Sequence, residues 1–395
     1  MARKKMLKSF HSISPIRFSV LIPWFFFLSM DIKIGLVSYG NITSLSITPI
    51  EKSFVYINEK KIENSFDIYS YKDKIKLDED NKVSFLKEVK IKINGTVKIK
   101  SKKKERYYKG TIEVKNLKGF LFMVNTVDLE DYVLSVTDSE TRHMKNVEAI
   151  KANAIAIRSY AIAAGNRHEK QGYNFCDLTH CQLYKGFKDI REKTYKAVRE
   201  TSGVIMEFDK KPIWAMYHSV CGGATETAKD VWNYDTMPYL VSVKDDIGFK
   251  TLCSEGWGYR WRTKIRIKRF ERFLQKSVFK NKSEKFVEIS NIVYTHSGRV
   301  KSFDVITDKR KITISGINFY HIIGRELGWM AIKSTAFTVS KDKKYIIFDG
   351  KGYGHGVGMC QAGADKMGEL GYGYREILNH YYEGIKIVKY SYGND

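Results

Sequence analysis

Acidic residues are scarce in this chain: 44 Asp and Glu face 68 Lys and Arg over 395 residues, a formal net charge of +24. Part of the excess is lysine-rich solvated surface, but a surplus of this size favours an acidic partner. Nucleic acid, anionic lipid and acidic polysaccharide are the classes to weigh. Further absences count against nucleic acid. There is no RNA-recognition signature, no zinc-finger spacing and no basic helix carrying base-reading residues. Nucleotide loops are missing as well. The glycine-rich run GKGYGHGVGMCQAGADKMGELGYGY, from Gly350 to Tyr374, follows a strand-like YIIFDG. A dinucleotide fingerprint would need glycine where Val357 or Met359 stands, and no G-K-[ST] follows. No nucleotide cofactor is expected, and something else lies against this loop. Cysteine is rare, with five in the chain, and no internal repeat is found.

Aromatic residues are not scarce. They make up 13% of the chain, 25 of them Tyr, which excludes a disordered polymer. The N-terminus reads as a targeting segment. MARKKMLKSFHSISPIR carries five basic residues and no acid, and the apolar FSVLIPWFFFLSM runs from Phe18 to Met30. No A-x-A-like cleavage site follows, so residues 1–30 are expected to form a single uncleaved membrane anchor. The basic head stays in the cytoplasm and the remainder lies outside, at the cell membrane.

From Ile32 to about Leu129, IKIGLVSYG, SFVYINEKKI, EVKIKINGTVKIK and YYKGTIEV alternate apolar with polar residues, which predicts strands. A helix is predicted to open at DLEDYVLSV, capped by Asp128. A second runs from about Asn146 to Arg167, burying Val147, Ile150, Ala154, Ile157 and Ala161. IREKTYKAVRET is a third, followed by strands VIMEF and PIWAMYHS. Lys264 to Val339 mixes a basic helix with strands, and YREILNHYYEG is helical. The expected class is α+β: mixed strands and several helices around a cleft, with a strand-rich N-terminal region (31–107) beside a larger domain (108–390).

Taken together, YYKGTIEV, VNTVDLEDYVLSV, VEAIKANAIAIRSYAI, GVIMEFDKKPIWAMYHSVCGGATETAKDVW, GYGHGVGMCQAGADKM and GYREILNHYYEGIKI resemble the SpoIID/LytB family, stage II sporulation protein D and its relatives. They recur in the family's order over most of Tyr107 to Ile387, while Lys268 to Ile312 matches poorly. The resemblance implies an extracytoplasmic protein acting on peptidoglycan glycan strands. The family's known activity is lytic transglycosylase cleavage of strands stripped of their peptides. Its LytB-like branch includes enhancers of a cell-wall amidase, so a glycan-binding module with an amidase partner is the competing expectation.

The family's catalytic glutamate falls on Glu140, in a stretch joining two helices. Its flanks, Ser139 before and Thr141-Arg142 after, depart from the usual Ala-Glu-Met-Pro. Away from the motif, a helix-end or salt-bridge carboxylate is the ordinary fate of such a residue. Lys151 and Arg158 share one helix face and are candidates for the free lactyl carboxylates of denuded strands. Ion pairing with Glu140 or Glu148 is the alternative. His355, Gly354, Gly356 and Tyr353 in GYGHGVGM, with His218 in MYHSVCGG, are candidate substrate-binding residues. Tyr217 and Trp232 are stacking candidates, and Ser219 and Thr225 weaker polar lining. His218 reads equally well as a core histidine.

Cys176 and Cys181, at C-x4-C with His168 and His180 nearby, admit zinc, a short-loop disulfide or free thiols. Some relatives carry zinc here, and soft ligands suit it. His168 is taken as the third ligand, because adjacent His180 and Cys181 would need an awkward loop to converge. Relatives also show cysteines in places similar to Cys221 and Cys253, which the resemblance allows to be bridged. Cys360 reads as a small buried residue.

Overall fold

The computed structural model describes residues 30–390, apart from positions 81, 103, 249 and 282. The expected anchor therefore lies outside the described residues, save Met30. Among the described residues, no helix is long and apolar enough to cross a membrane.

Period-2 patterning becomes two large sheets in the N-terminal third. The seven-stranded sheet runs, in spatial order, Phe175–Cys176, Asp31–Gly35, Phe120–Asp128, Thr111–Leu117, Glu88–Asn94, Phe54–Ile57 and Lys60–Ile62. The six-stranded sheet runs Glu105–Tyr108, Val97–Lys100, Ser44–Pro49, Phe66–Tyr71, Lys74–Glu79 and Lys82–Leu86. Most strands bury alternate residues, as with Val89 and Ile91 between exposed Glu88, Lys90 and Lys92. Ile47 and Ile68 of one sheet share a core cluster with Ile91, Ile112 and Val114 of the other. The larger sheet takes strands from both sides of residue 107.

The next segment supplies three helices: α1 (Leu129–Glu140), α2 (Val147–Ala163) and α3 (Glu192–Glu200). Asp128 caps α1, its side chain accepting from the Glu130 amide at 2.8 Å, as the sequence predicts. α2 is buried on nearly every side, because sheets, α3 and later helices all pack on it. Predicted strand PIWAMYHS forms only at its ends, Lys211–Pro212 and Tyr217–His218. The short α4 (Ala228–Trp232) follows. A third lobe holds α5 (Ile267–Leu274) and α6 (Gly316–Leu327) between two three-stranded sheets. Its core is aromatic, with Phe270, Phe303, Phe319 and Phe348 almost wholly enclosed. Finally α7 (Gln361–Glu369) and α8 (Tyr374–Tyr381) return to pack against α2. The architecture is α+β with a strand-rich N-terminal part.

Arg158, expected to fork around a substrate carboxylate, is fully enclosed instead. Its Nε and Nη2 donate to the two oxygens of Glu130, each at 2.7 Å, and its Nη1 donates to the Val204 carbonyl. The Gly203 amide also donates to Glu130. One guanidinium thus ties the first turn of α1 to mid-α2 and to the strand Val204–Phe208. A buried fork of this kind costs more to break than it contributes when whole, since removal of one partner strands the other charge. Lys151 is likewise committed, to Glu148 at 2.6 Å and Glu200 at 2.8 Å. Arg158→Ala should destabilise the fold by about 3–5 kcal/mol, measured by chemical denaturation. A loss below about 1 kcal/mol would show that the pair is not the clasp described.

Candidate active site

Glu140 is the last residue of α1 and not part of a linker, because the helix continues through Ser139 and Thr141 forms its C-cap. The Ser139 and Thr141 hydroxyls donate back to the carbonyls of Ser135 and Thr137, and Arg142 pairs with Asp138 at 2.7 Å. Arg191 locks the helix end from outside. Its Nε donates to Asp138 at 2.8 Å, and its Nη atoms reach the carbonyl and hydroxyl of Thr141 at 3.0 and 2.9 Å. Both arginines are drawn to Asp138. Among the described residues, Glu140 has no salt bridge within 4 Å.

The Glu140 carboxyl accepts one hydrogen bond, from the Leu183 amide at 2.8 Å. Burial raises its pKa, against the smaller opposing effects of that amide and of the Lys185 charge. Two phenols respond to its charge, Tyr132 and Tyr217. They are joined through Gln182, whose Oε1 accepts from the Tyr132 hydroxyl at 3.0 Å while its Nε2 donates to Tyr217 at 3.3 Å. Tyr217 also leads to the glycine loop. Its strand pairs in parallel with Met359–Cys360, and its backbone hydrogen-bonds the His355 ring. The phenol of one residue thus stands by Glu140 and its backbone by His355.

His355 is held neutral: burial, with the Arg299 charge behind it, pushes its pKa down to about 4. Its Nδ1 accepts from the Val357 amide at 3.1 Å, which leaves the proton on Nε2. Trp232 lies 5.1 Å from it, ring centre to ring centre, and His218 lies 5.5 Å away. His218 is a core residue. Its Nδ1 meets the Val357 carbonyl at 3.1 Å, its Nε2 is buried without a hydrogen-bond partner, and burial drives its pKa well down. Thr225 is also interior, serving the Val243 amide and the Val241 carbonyl.

The space above Gly354 and Gly356 is taken by the protein itself. A Cβ on Gly356, where φ is +87°, would stand 2.3 Å from the Arg299 guanidinium carbon. One on Gly354 would meet His218 Cβ at 3.0 Å. These two glycines therefore admit neighbouring side chains rather than leaving a floor open for a sugar. Tyr353 and Ser219 line a cavity of about 460 Å³ with His143, Trp257 and Asp365. Trp257 is 65% exposed and packs edge-on against Tyr353 at 5.4 Å. It escaped the sequence reading; the signal was the glycine-flanked aromatic run SEGWGYRW. Neither Glu140 nor His355 lines this cavity or the one of about 540 Å³ beside Arg260, Trp261 and Arg262.

The described residues also contain two clusters of donor side chains. In the first, His168, Cys176, His180 and Cys181 place their ligand atoms within 4.8 Å of one another. The His180 Nδ1 lies 3.7 and 3.5 Å from the Cys176 and Cys181 sulfurs, which are 3.5 Å apart. His180 and Cys181 do converge, contrary to expectation, because a turn closed by the Cys181 amide on the Leu178 carbonyl folds the loop back. The His168 Nε2 is buried with no partner. Two soft sulfurs, two imidazoles and an orphaned nitrogen suit a tetrahedral cation. In the second, Cys221, Asp245, Cys253 and Cys360 converge in the interior. The Cys221 and Cys253 sulfurs stand 3.4 Å apart as free thiols.

Comparison with known proteins agrees with the motif order. The family model described as stage II sporulation protein, SpoIID, matches residues 118–208, and a domain of unknown function, DUF8618, matches 253–358. An uncharacterized protein of Brachyspira hyodysenteriae is 30% identical over 278 residues, covering 69% of each chain. The amidase enhancer of Bacillus subtilis is 31% identical over 282 residues, which is 62% of this chain but 38% of that protein. Stage II sporulation protein D of Bacillus amyloliquefaciens is 28% identical over 280 residues, 67% of this chain and 75% of the relative.

The desolvated Glu140 has a thermodynamic signature. A carboxyl whose folded pKa lies above its unfolded value binds more protons in the native state, so its contribution to stability is lost as pH rises. Glu140→Gln keeps the acceptor for Leu183 and removes the charge. At pH 7 the variant should melt a few degrees higher than the parent, and the difference should vanish below about pH 4, where both are neutral. A variant less stable at pH 7 would contradict the desolvated environment.

Proposed function

Because the chain belongs to the SpoIID/LytB family, we propose that it remodels the cell wall as a lytic transglycosylase on denuded peptidoglycan strands. The observation that carries this reading is the state of Glu140: half-buried, without an ion pair among the described residues, raised in pKa by desolvation, and close to the phenol of Tyr217, whose backbone lies by a neutral His355. Hydrolytic glycosidases need a second carboxylate to activate water or attack the sugar. Intramolecular transfer does not. The Glu140 carboxylic acid gives its proton to the glycosidic oxygen as the bond to C1 breaks. The resulting carboxylate then takes the proton of the same muramic acid's C6 hydroxyl as that oxygen closes on C1. The product is a 1,6-anhydro end, and Glu140 is left protonated for the next cycle. A desolvated acid suits both halves. Tyr217 and Trp232 offer faces for sugar rings, and the basic surface draws in strands bearing free lactyl carboxylates.

In this reading the first donor cluster holds a structural zinc through Cys176, Cys181, His168 and His180. Those four residues would hold the ion next to Gln182 and Leu183, which bond Tyr217 and Glu140, so that a bound cation would fix this loop. The basic head and apolar run of residues 1–30 anchor the chain in the cell membrane, with the domain on the extracytoplasmic side. A second reading, a glycan-binding module that assists an amidase, draws support from the amidase enhancer among the relatives and from the altered flanks of Glu140.

Incubation of the protein with denuded glycan should yield anhydro-muramic ends. Glu140→Gln should lower their formation at least 100-fold, in the range of general acid–base loss, while the variant still co-sediments with glycan. Unchanged cleavage by Glu140→Gln would remove Glu140 from the chemistry. Binding without cleavage by the parent, together with stimulation of an added amidase, would install the second reading. Separately, Cys176→Ser should lose one equivalent of zinc by metal analysis; an unchanged content would refute the first metal site.

A further inference from the structure

The second cysteine cluster has no part in the chemistry above, and its construction is specific. Cys221 follows the strand Tyr217–His218, and Asp245 precedes the short strand Asp246–Ile247. Cys253 sits in the turn Leu252–Glu255, and Cys360 caps α7. Their side chains meet in the interior, with the three thiols and the carboxylate within 4.8 Å of one another. Cys253, Cys360 and Asp245 are wholly enclosed, and Cys221 is 2% exposed.

We propose that Cys221, Asp245, Cys253 and Cys360 form a second metal centre, a closed three-sulfur, one-oxygen site for a divalent cation of the zinc class. Four donors within 4.8 Å of one another suit the four-coordinate preference of that ion. With zinc–sulfur bonds of about 2.3 Å, sulfurs stand about 3.8 Å apart, close to the 3.4 Å between Cys221 and Cys253. The carboxylate Oδ2 is 3.1 Å from the Cys221 sulfur. Softness selects zinc-class metals over magnesium or calcium.

Two observations point to a metal rather than to a simple pair of cysteines. Backbone amides are aimed at the sulfurs: Cys221 N to the Cys360 sulfur at 3.2 Å, Gly363 N to the same sulfur at 3.4 Å, and Gly223 N to the Cys221 sulfur at 3.3 Å. Such donors stabilise thiolates and orient metal ligands, whereas a disulfide sulfur gains little from them. The carboxylate is also held from behind. The Tyr381 hydroxyl donates to Asp245 Oδ1 at 2.5 Å, the outer support typical of a ligating carboxylate. Gly363 makes room for both, since a Cβ there would lie 2.2 Å from that hydroxyl and 2.3 Å from the carboxylate. The nearby cation, Arg299, is enclosed and donates through Nη2 to the Cys221 carbonyl at 2.7 Å. Binding would expel the thiol protons, and the excess negative charge of three thiolates and a carboxylate over a divalent ion would be partly offset by the enclosed Arg299 guanidinium nearby. A Cys221–Cys253 bridge would instead exclude the cation and leave Cys360 and Asp245 without a shared role. The proposal stands apart from the transglycosylase reading, because none of its residues touches Glu140.

The test uses the full chain purified without chelator or reductant. Two zinc equivalents are expected, falling to one in Cys360→Ser and to one in Cys176→Ser, with the remaining centre differing between them. In Cys176→Ser, cobalt loaded in place of zinc should show tetrahedral d–d bands and thiolate-to-cobalt charge transfer. If Cys360→Ser does not fold, alkylation of the denatured, unreduced parent decides, and all five cysteines should be labelled. A Cys221–Cys253 disulfide in that experiment would overturn the proposal. So would a Cys176→Ser variant that holds no metal, or a folded Cys360→Ser with its metal content unchanged.

Discussion

The arrangement depends on a very short piece of parallel pairing, Tyr217–His218 against Met359–Cys360. It joins segments distant in sequence, and almost every residue of interest hangs from it. The pairing requires backbones to approach more closely than side chains allow. At Gly358, where φ is +69°, a Cβ would stand 2.1 Å from the Met216 carbonyl. That carbonyl accepts from the Met359 amide at 3.1 Å and from the Tyr382 hydroxyl at 2.7 Å. Glycine density near the chain's end is thus explained by interleaving with the segment 216–223. The loop lies first against its own chain, and the histidine it carries is placed by that contact.

Charge is distributed with a similar economy. Asp138 and Glu140 sit one turn-fraction apart at the end of α1, yet they receive opposite treatment. Asp138 takes Arg191, Arg142 and the Thr194 hydroxyl. Glu140 takes one amide, with the phenols of Tyr132 and Tyr217 near enough to respond to its charge. A pairing cation would stabilise the carboxylate and lower its pKa; desolvation does the reverse. Arg158, the cation best placed by helical spacing to approach this region, is removed by Glu130. Among the described residues, an acid in a chain of +24 therefore stays free of salt bridges through the competition of its neighbours.

The two donor clusters draw on different parts of this neighbourhood. One involves the loop that supplies Gln182 and Leu183 to the Glu140 environment. The other gathers the residues that follow His218 and that start α7. Each is built from chain segments with little regular structure of their own, where hydrophobic burial alone leaves much backbone freedom. Cross-linking such segments through a shared centre is a compact way to hold the Glu140 and His355 neighbourhoods in register.

By itself, the sequence determined whatever depends on local periodicity and on ordered motifs. Alternation of residues such as Glu88 to Asn94 specified the strands, Asp128 specified the start of α1, and the ordered motifs specified the family. It also pointed to Glu140, His355 and the Cys176–Cys181 pair. It was silent where a side chain's role depends on which distant partner reaches it first. Helical spacing aligns Lys151 with Arg158, but only the fold shows that Glu148, Glu200 and Glu130 claim them. Loop geometry made His180 and Cys181 look incompatible as ligands until the turn at Leu178 brought them together. The gathering of Cys221, Asp245, Cys253 and Cys360 has no sequence spacing to announce it. Those four meet because the parallel pairing closes the chain on itself, and distance through space, unlike distance along the chain, is set only when the whole molecule packs.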